Sequence, residues 1–298
     1  MITVFGSTNL DQVGTVSRLP KPGETVAGGT FSMAAGGKGA NQALAARRAG
    51  ADVRHISAVG DDAFADLALE LLKADGVDLS EVKTTPNPTG IAMIFVDTHG
   101  ENVIAILPGA NGTVSADQAE VALKSLSKGS VLLLQQEVPQ AATVRALDLA
   151  KAQGVTSILN TAPFIETTKE VAPKAAILIA NETEFELLTG RGIAELDAAM
   201  ADWAKAHNQT VIVTLGADGA KGVTKDGEKI AVPAMKVKPV DTVGAGDTFC
   251  GYLAAGLDQG LNLETAMRRA VVAASLACLK AGAQPAIPYV AEVEAALA

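Results

Sequence analysis

Asp241-Thr-Val-Gly-Ala-Gly-Asp247 runs on into Thr248-Phe-Cys-Gly251, so two glycines and an alanine stand just ahead of an acid. Apolar, helix-compatible text follows through Leu257. That order reads as a tight turn feeding a helix N-terminus. The first N–H groups of a helix have no intrahelical partner, and the peptide dipoles add partial positive charge there. Such an end receives anions, phosphate among them. Asp247 lies at its mouth, where phosphate would repel a carboxylate. An acid so placed has a use as a base beside a phosphoryl group in transfer.

Outward from this turn, strand and helix signals alternate. Strand-like apolar runs are Ile2–Phe5, Val53–Val59, Ile91–Val96, Val103–Leu107, Val131–Leu134, Thr156–Asn160, Ala176–Ala180 and Val211–Leu215. Helical runs fall between them at Ala40–Ala49, Ala63–Ala74, Ala116–Ser127, Ala141–Ala152, Thr183–Thr189, Ala194–Ala206, Asp247–Gln259 and Leu263–Lys280. Short buried strands alternating with helices predict an α/β fold, a mainly parallel central sheet with helices on both faces. Two segments break the rhythm. Val13–Phe31, around Pro20-Lys-Pro-Gly23, and Thr89–Leu107, a hairpin turning at Asp97-Thr-His-Gly100, read as a small β layer inserted into one domain spanning 1–298. The layer either caps a site or decorates an edge.

Composition bounds the partners. The 298 residues are 48% hydrophobic and 19% charged, which is globular. Only 3% are aromatic and the net charge is −9, with no dense basic run, which argues against nucleic acid and anionic membrane. The two cysteines, Cys250 and Cys278, have neither disulfide-framework nor zinc spacing and read as free thiols. The N-terminus lacks the basic region of a signal peptide, and no apolar run reaches the roughly 18 residues of a membrane span, so a cytoplasmic protein is expected.

Further polar groups follow strand ends. Gly36-Gly-Lys-Gly-Ala-Asn-Gln42 precedes a helix but lacks P-loop and dinucleotide spacing; its glycines admit a ligand close to the backbone, with Lys38 and Asn41 beside it, or simply make the strand-to-helix turn. Asn9 and Asp11 follow the first strand, and alternate residues of an extended chain face one side, suiting sugar hydroxyls; turn-forming side-chain chemistry is the plain alternative. Gln135-Gln-Glu137 ends another strand. Asn181-Glu-Thr-Glu184 opens a helix as a capping box, or orders water around Mg²⁺. Thr214-Leu-Gly-Ala-Asp-Gly219, after Val211–Val213, is by itself a weak signal for a loop that wraps a nucleotide, and Lys280-Ala-Gly-Ala-Gln-Pro-Ala286 offers carbonyls to a monovalent cation or caps a helix. His55, His99 and His207 lack metal spacing and read as packing or surface residues.

Taken together and in order, these motifs resemble the ribokinase-like family of carbohydrate kinases, the phosphofructokinase-B type, essentially from end to end. Gly36-Gly-Lys-Gly-Ala-Asn-Gln-Ala43 is similar to the family's N-terminal glycine motif and Asp241-Thr-Val-Gly-Ala-Gly-Asp-Thr-Phe249 to its C-terminal one. Gly6-Ser-Thr-Asn-Leu-Asp11, Pro22-Gly-Glu-Thr25, Gly109-Ala-Asn111 and Gly282-Ala-Gln-Pro285 support the match. The resemblance implies ATP-dependent phosphorylation of D-ribose at its 5-hydroxyl. It implies Asp247 as base and Gly244, Ala245 and Gly246 as the anion hole. Asn9, Asp11, Gly37, Lys38, Asn41 and Glu137 match sugar-contacting positions, Asn181, Thr214 and Gly216 nucleotide-side positions, and Glu184 the Mg²⁺-ordering acid. Asp241, Val243, Ala277, Lys280, Gly282 and Ala286 match a K⁺ site. The β insertions imply a lid that also pairs two subunits as a homodimer.

Two positions depart from the pattern. Ala286 stands where a serine is common at the K⁺ site, and Val271 where His or Asn often sits beside the nucleotide. Alternatives stay open: a kinase for 2-deoxyribose, fructose, a nucleoside or pseudouridine, or a catalytically idle sugar or nucleotide sensor.

Overall fold

A computed structural model of the chain describes residues 1–124 and 126–298. The strands are β1 (Ile2–Phe5), β2 (Asn9–Val16), β3 (Gly28–Gly36), β4 (Val53–Gly60), β5 (Val82–Thr85), β6 (Gly90–Val96), β7 (Asn102–Leu107), β8 (Val131–Leu134), β9 (Thr156–Asn160), β10 (Ile177–Asn181), β11 (Thr210–Thr214), β12 (Ala220–Val223) and β13 (Lys229–Val232). The helices are α1 (Lys38–Arg48), α2 (Ala63–Ala74), α3 (Ala116–Leu123), α4 (Gln140–Gln153), α5 (Thr168–Val171), α6 (Glu182–Thr189), α7 (Leu196–His207), α8 (Ala245–Asp258), α9 (Leu263–Ala277), α10 (Ala283–Ala286) and α11 (Val290–Leu297).

Among the described residues, nine strands form one sheet in the order β13-β12-β11-β10-β9-β8-β1-β4-β5. It is parallel from β11 to β5, and β12 and β13 add an antiparallel edge. Both faces are covered, as expected for parallel strands. Alternate strand residues divide between two cores. Ile2, Val4, Leu133, Ile179 and Ile212 pack with α1, α8 and α9. Phe5, Leu132, Leu134, Leu178 and Val213 pack with α3, α4, α6 and α7.

A second sheet has the order β3-β2-β6-β7. It is mixed: β2 runs antiparallel to β3 and parallel to β6, and β6 and β7 form the expected hairpin. Its first segment differs from expectation. The strands begin at Asn9 rather than Val13 and continue to Gly36 rather than Phe31, so Asn9 and Asp11 belong to a strand, not a turn. Helix α9 stops at Ala277, three residues short of the expected Lys280, because a turn follows in which the N–H of Lys280 bonds to the Ala277 carbonyl at 3.3 Å. Helix α3 ends at Leu123, and its expected extension to Ser127 crosses Ser125, outside the described residues. Strands β5, β12 and β13 and helices α5, α10 and α11 had no counterpart in the sequence reading. No helix among the described residues is long and apolar enough to cross a membrane.

Candidate active site

The carboxyl ends of β11, β10, β9, β8 and β1 line one edge of the sheet, where open α/β folds gather ligands. Thr214 ends β11 in register with Asn181, which ends β10. Asn160 ends β9, Gln135 to Glu137 follow β8, and Asn9 lies just beyond β1 as the first residue of β2. The row thus runs from the expected nucleotide residues to the expected sugar residues, with the start of α8 against it.

Gly244 caps α8 in the left-handed region (φ 76°), and a Cβ there would lie 2.9 Å from Ala283. The N–H of Ala245 closes the turn onto the Thr242 carbonyl at 3.3 Å. The N–H groups of Gly246 and Asp247 have no acceptor among the described residues, and a Cβ on Gly246 would meet nothing within 4 Å. The N–H groups of the turn that are open to a ligand are therefore those of Gly246 and Asp247 rather than that of Ala245.

Asp247 is only 6% exposed. Its Oδ2 accepts from Asn41 Nδ2 and its Oδ1 from Gln42 Nε2, both at 2.9 Å. Each oxygen keeps a lone pair. Asn41 is also buried, and its Oδ1 has no partner among the described residues, an orphaned acceptor suited to a ligand hydroxyl. Close approach of backbone builds the rest. A Cβ at Gly36 would lie 2.3 Å from Asp11 Oδ2, and one at Gly37 (φ 87°) 2.7 Å from the Asn9 nitrogen. Glu137 Oε2 accepts from the Lys38 N–H at 3.0 Å and from the Ser7 hydroxyl at 2.5 Å. Asn9 Oδ1 accepts from Asn111 Nδ2 at 2.7 Å, so the Asn9 amide turns its donors outward.

This end of the site is acidic. Burial, then Glu137 and Asp247, push Asp11 up to about 7, with Lys38 opposing. Asp247, ahead of Glu137, holds Lys38 above the usual lysine range despite desolvation. Burial drives the Cys250 thiol well up and His55 down to about 4, so both are neutral packing groups.

At the residues expected to face the nucleotide, the capping box is present. Asn181 Oδ1 accepts from the Glu184 N–H at 2.7 Å, and Glu184 Oε2 accepts from the Asn181 N–H at 3.1 Å and the Thr161 hydroxyl at 2.7 Å. Glu184 Oε1 remains available. Gly216 opens a 3₁₀ turn with empty space beside its Cα, and Val271 is buried on α9.

Asp241 ties the glycine turn to the α9–α10 connection. Its Oδ1 accepts from the Val243 N–H at 3.0 Å and its Oδ2 from the Gly282 N–H at 2.9 Å. Lys280 and Gly282 lie on that connection, Ala277 ends α9 before it, and buried Ala286 ends α10 after it.

The sequence reading missed Gln42, Asn160 and Thr161 as members of the site. Gln42 gave one signal: a glutamine inside an otherwise alanine-rich helical run. For the other two, only their place at the end of a strand hinted at it.

Residues 1–289 match the pfkB family carbohydrate kinase model. The chain belongs to that family. It is 38% identical over 299 residues to the ribokinase of Staphylococcus aureus, with 98% of each chain covered. It is 36% identical over 294 residues to the deoxyribokinase of Salmonella typhi, covering 97% of this chain and 96% of the relative. It superposes on the structure of Arabidopsis thaliana ribokinase complexed with ribose and ATP with a TM-score of 0.88 at 31% identity, over 99% of this chain and 98% of that one. The protein is a ribokinase-like, ATP-dependent sugar kinase.

Proposed function

We propose that the enzyme transfers the γ-phosphoryl group of ATP to the 5-hydroxyl of D-ribose with Asp247 as general base. The observation that carries this is the buried Asp247 carboxylate, gripped by Asn41 and Gln42 in the first turn of α8, beside free N–H groups and facing the polar cluster of Asn9, Asp11, Lys38 and Glu137. Asn9, Asp11, the backbone at Gly37, Lys38, Asn41 and Glu137 bind the sugar. Asp247 accepts the proton of the attacking hydroxyl. The N–H groups at Gly246 and Asp247, in the Gly244–Gly246 turn, receive charge on the phosphoryl oxygens, a contribution of roughly 2.7–4 kcal/mol per donor in other enzymes. Asn181, Thr214 and Gly216 contact the nucleotide.

The Glu184 side chain fits a hydrated Mg²⁺, since the capping box fixes one oxygen and leaves the other for water. Among the described residues no cluster of three acidic, His or Cys side chains forms a cage, which suits an ion held mainly by water and substrate phosphate. When bound, Mg²⁺ supplies charge neutralisation to the phosphates. K⁺ fits between Asp241, Val243 and the carbonyls of Ala277, Lys280, Gly282 and Ala286. Ala286 brings a methyl group where a hydroxyl would add a ligand, so the site relies on backbone oxygens. The small sheet closes over the sugar as a lid and pairs two copies of the chain.

The deoxyribokinase relative favours a second reading, 2-deoxyribose as the preferred acceptor. ADP release measured side by side with D-ribose, 2-deoxyribose, fructose, nucleosides and pseudouridine decides. Highest kcat/KM on ribose is expected. Preference for 2-deoxyribose moves the acceptor, and no pentose-dependent ADP release overturns the reading.

A further inference from the structure

We infer that Gln42 is a positioning residue for phosphoryl transfer: its amide fixes the Asp247 carboxylate, and Gln135 fixes which end of that amide faces it. The inference rests on the reading of Asp247 as the base. Gln42 is wholly buried on α1. Its Nε2 donates to Asp247 Oδ1 at 2.9 Å and, more weakly, to Asn160 Oδ1 at 3.3 Å. Its Oε1 accepts from Gln135 Nε2 at 2.6 Å.

The order of donors in this chain follows from one charge. An ionised carboxylate only accepts, so Gln42 must turn Nε2 toward Asp247. Oε1 then points back into the protein and needs a donor, which Gln135 provides. The chain ends there. Gln135 is 1% exposed, and its Oε1 has no partner among the described residues. It lies against Gly6, where a Cβ would come within 2.0 Å of it. A buried acceptor without a donor is unfavourable, and apolar side chains of similar shape would fill this space without it. The relay is therefore understood through what it does to Asp247.

Asn41 and Gln42 are consecutive on α1, yet they hold different oxygens of the one carboxylate. They fix its rotamer from α1, while Asn160 at the end of β9 and Gln135 beyond β8 hold the Gln42 amide in turn. The charged and titratable groups that interact with Asp247 are Lys38 on α1, Asp11 on β2 and the Cys250 thiol on α8, and Glu137 beyond β8 and Glu184 on α6 act on these in turn. A neutral donor at position 42 holds the carboxylate without adding to this field. A carboxylate at that position donates only while protonated.

The test compares wild type with Gln42→Met, Gln42→Glu, Gln135→Met and Asp247→Asn, each checked by thermal melting, with kcat from pH about 5 to about 8 and sugar Kd by calorimetry. Gln42→Met is expected to lower kcat by about tenfold or more while sugar Kd stays within about threefold. Gln135→Met is expected to lower kcat by about threefold or more, because the Gln42 amide loses its orientation. In Gln42→Glu the pair retains activity while it holds one proton, so its kcat falls with rising pH where the wild type's does not. Should Gln42→Met fail to fold, the Gln42→Glu profile decides. A Gln42→Met enzyme with kcat within about twofold of wild type, or a Gln42→Glu profile parallel to wild type, overturns the positioning role if Asp247→Asn is inactive. Asp247→Asn with near-normal turnover overturns the base itself.

Discussion

At the scale of single residues, two carboxylates in one site are set to different tasks by their surroundings. Asp247 has an amide on each oxygen and faces the free N–H groups of α8. Asp247→Asn keeps its shape and removes its basicity, so kcat should fall by at least about 10²-fold while sugar binding survives. Near-normal turnover in that variant would sink the assignment. Asp11, by contrast, has its carboxyl pushed up to about 7 by burial and by Glu137 and Asp247. The sign follows from linkage. The fold favours protonated Asp11, so its contribution to stability is complete below the ordinary Asp value of 3.8 and is lost as pH rises to about 7. Asp11→Asn should therefore melt higher than wild type at pH about 8 and no higher at pH about 4. Wild-type sugar affinity should weaken as pH falls through about 7, when the carboxylate loses its charge. Calorimetric affinities that stay flat across that range would remove Asp11 from sugar binding.

At the scale of elements, the α8 turn couples chemistry to packing. Gly244→Ala forces a side chain into φ 76° and within 2.9 Å of Ala283, so it should destabilise by about 1–3 kcal/mol and lower kcat as the N–H groups of Gly246 and Asp247 shift. Thermal melts with steady-state kinetics measure both. The same turn is tied through Asp241 to Gly282, on the connection that leads into α10 and Ala286. If K⁺ binds there, exchanging K⁺ for Na⁺ should lower the rate; an unchanged rate removes the site. Elements with strong periodicity were legible in advance. Helix α2 and strands β1, β8 and β9 have the bounds that the sequence suggests. Strands β12 and β13 were not, because Ala220–Val223, with Gly222 inside, and Lys229–Val232 carry too short an apolar pattern to register. In the site, Asp247 was legible from its glycine turn. The Gln42 relay was not, because Gln42 meets Asp247 across 205 residues and Gln135 across 93, and only the packed fold brings them together.

At the scale of the whole molecule, the small sheet has two unlike faces. Strand register places Asp11, Ala34 and Ala92 on one side, toward the site, with exposed Ile104 and Ile106 farther out on that side. It places Phe31, Met33, Met93, Phe95, Val103 and Leu107 on the other, and all six are exposed, Phe31 by 66% and Val103 by 52%. A contiguous apolar sheet face of this kind marks an interaction surface. A second copy of the chain is the occupant proposed for it, since the same face on both partners makes a closed two-fold contact. Phe31→Glu with Val103→Glu places like charges on both copies, and neither side chain supports the interior of the monomer. Light scattering should then report the mass of one chain where the wild type reports two. Because pairing would brace the sheet over the sugar residues, KM for the sugar should rise in the same variant with the two-cluster core, and hence the melting of the main domain, little changed. A wild type that is monomeric at micromolar concentration, or a double variant that remains paired, rules this face out as the contact.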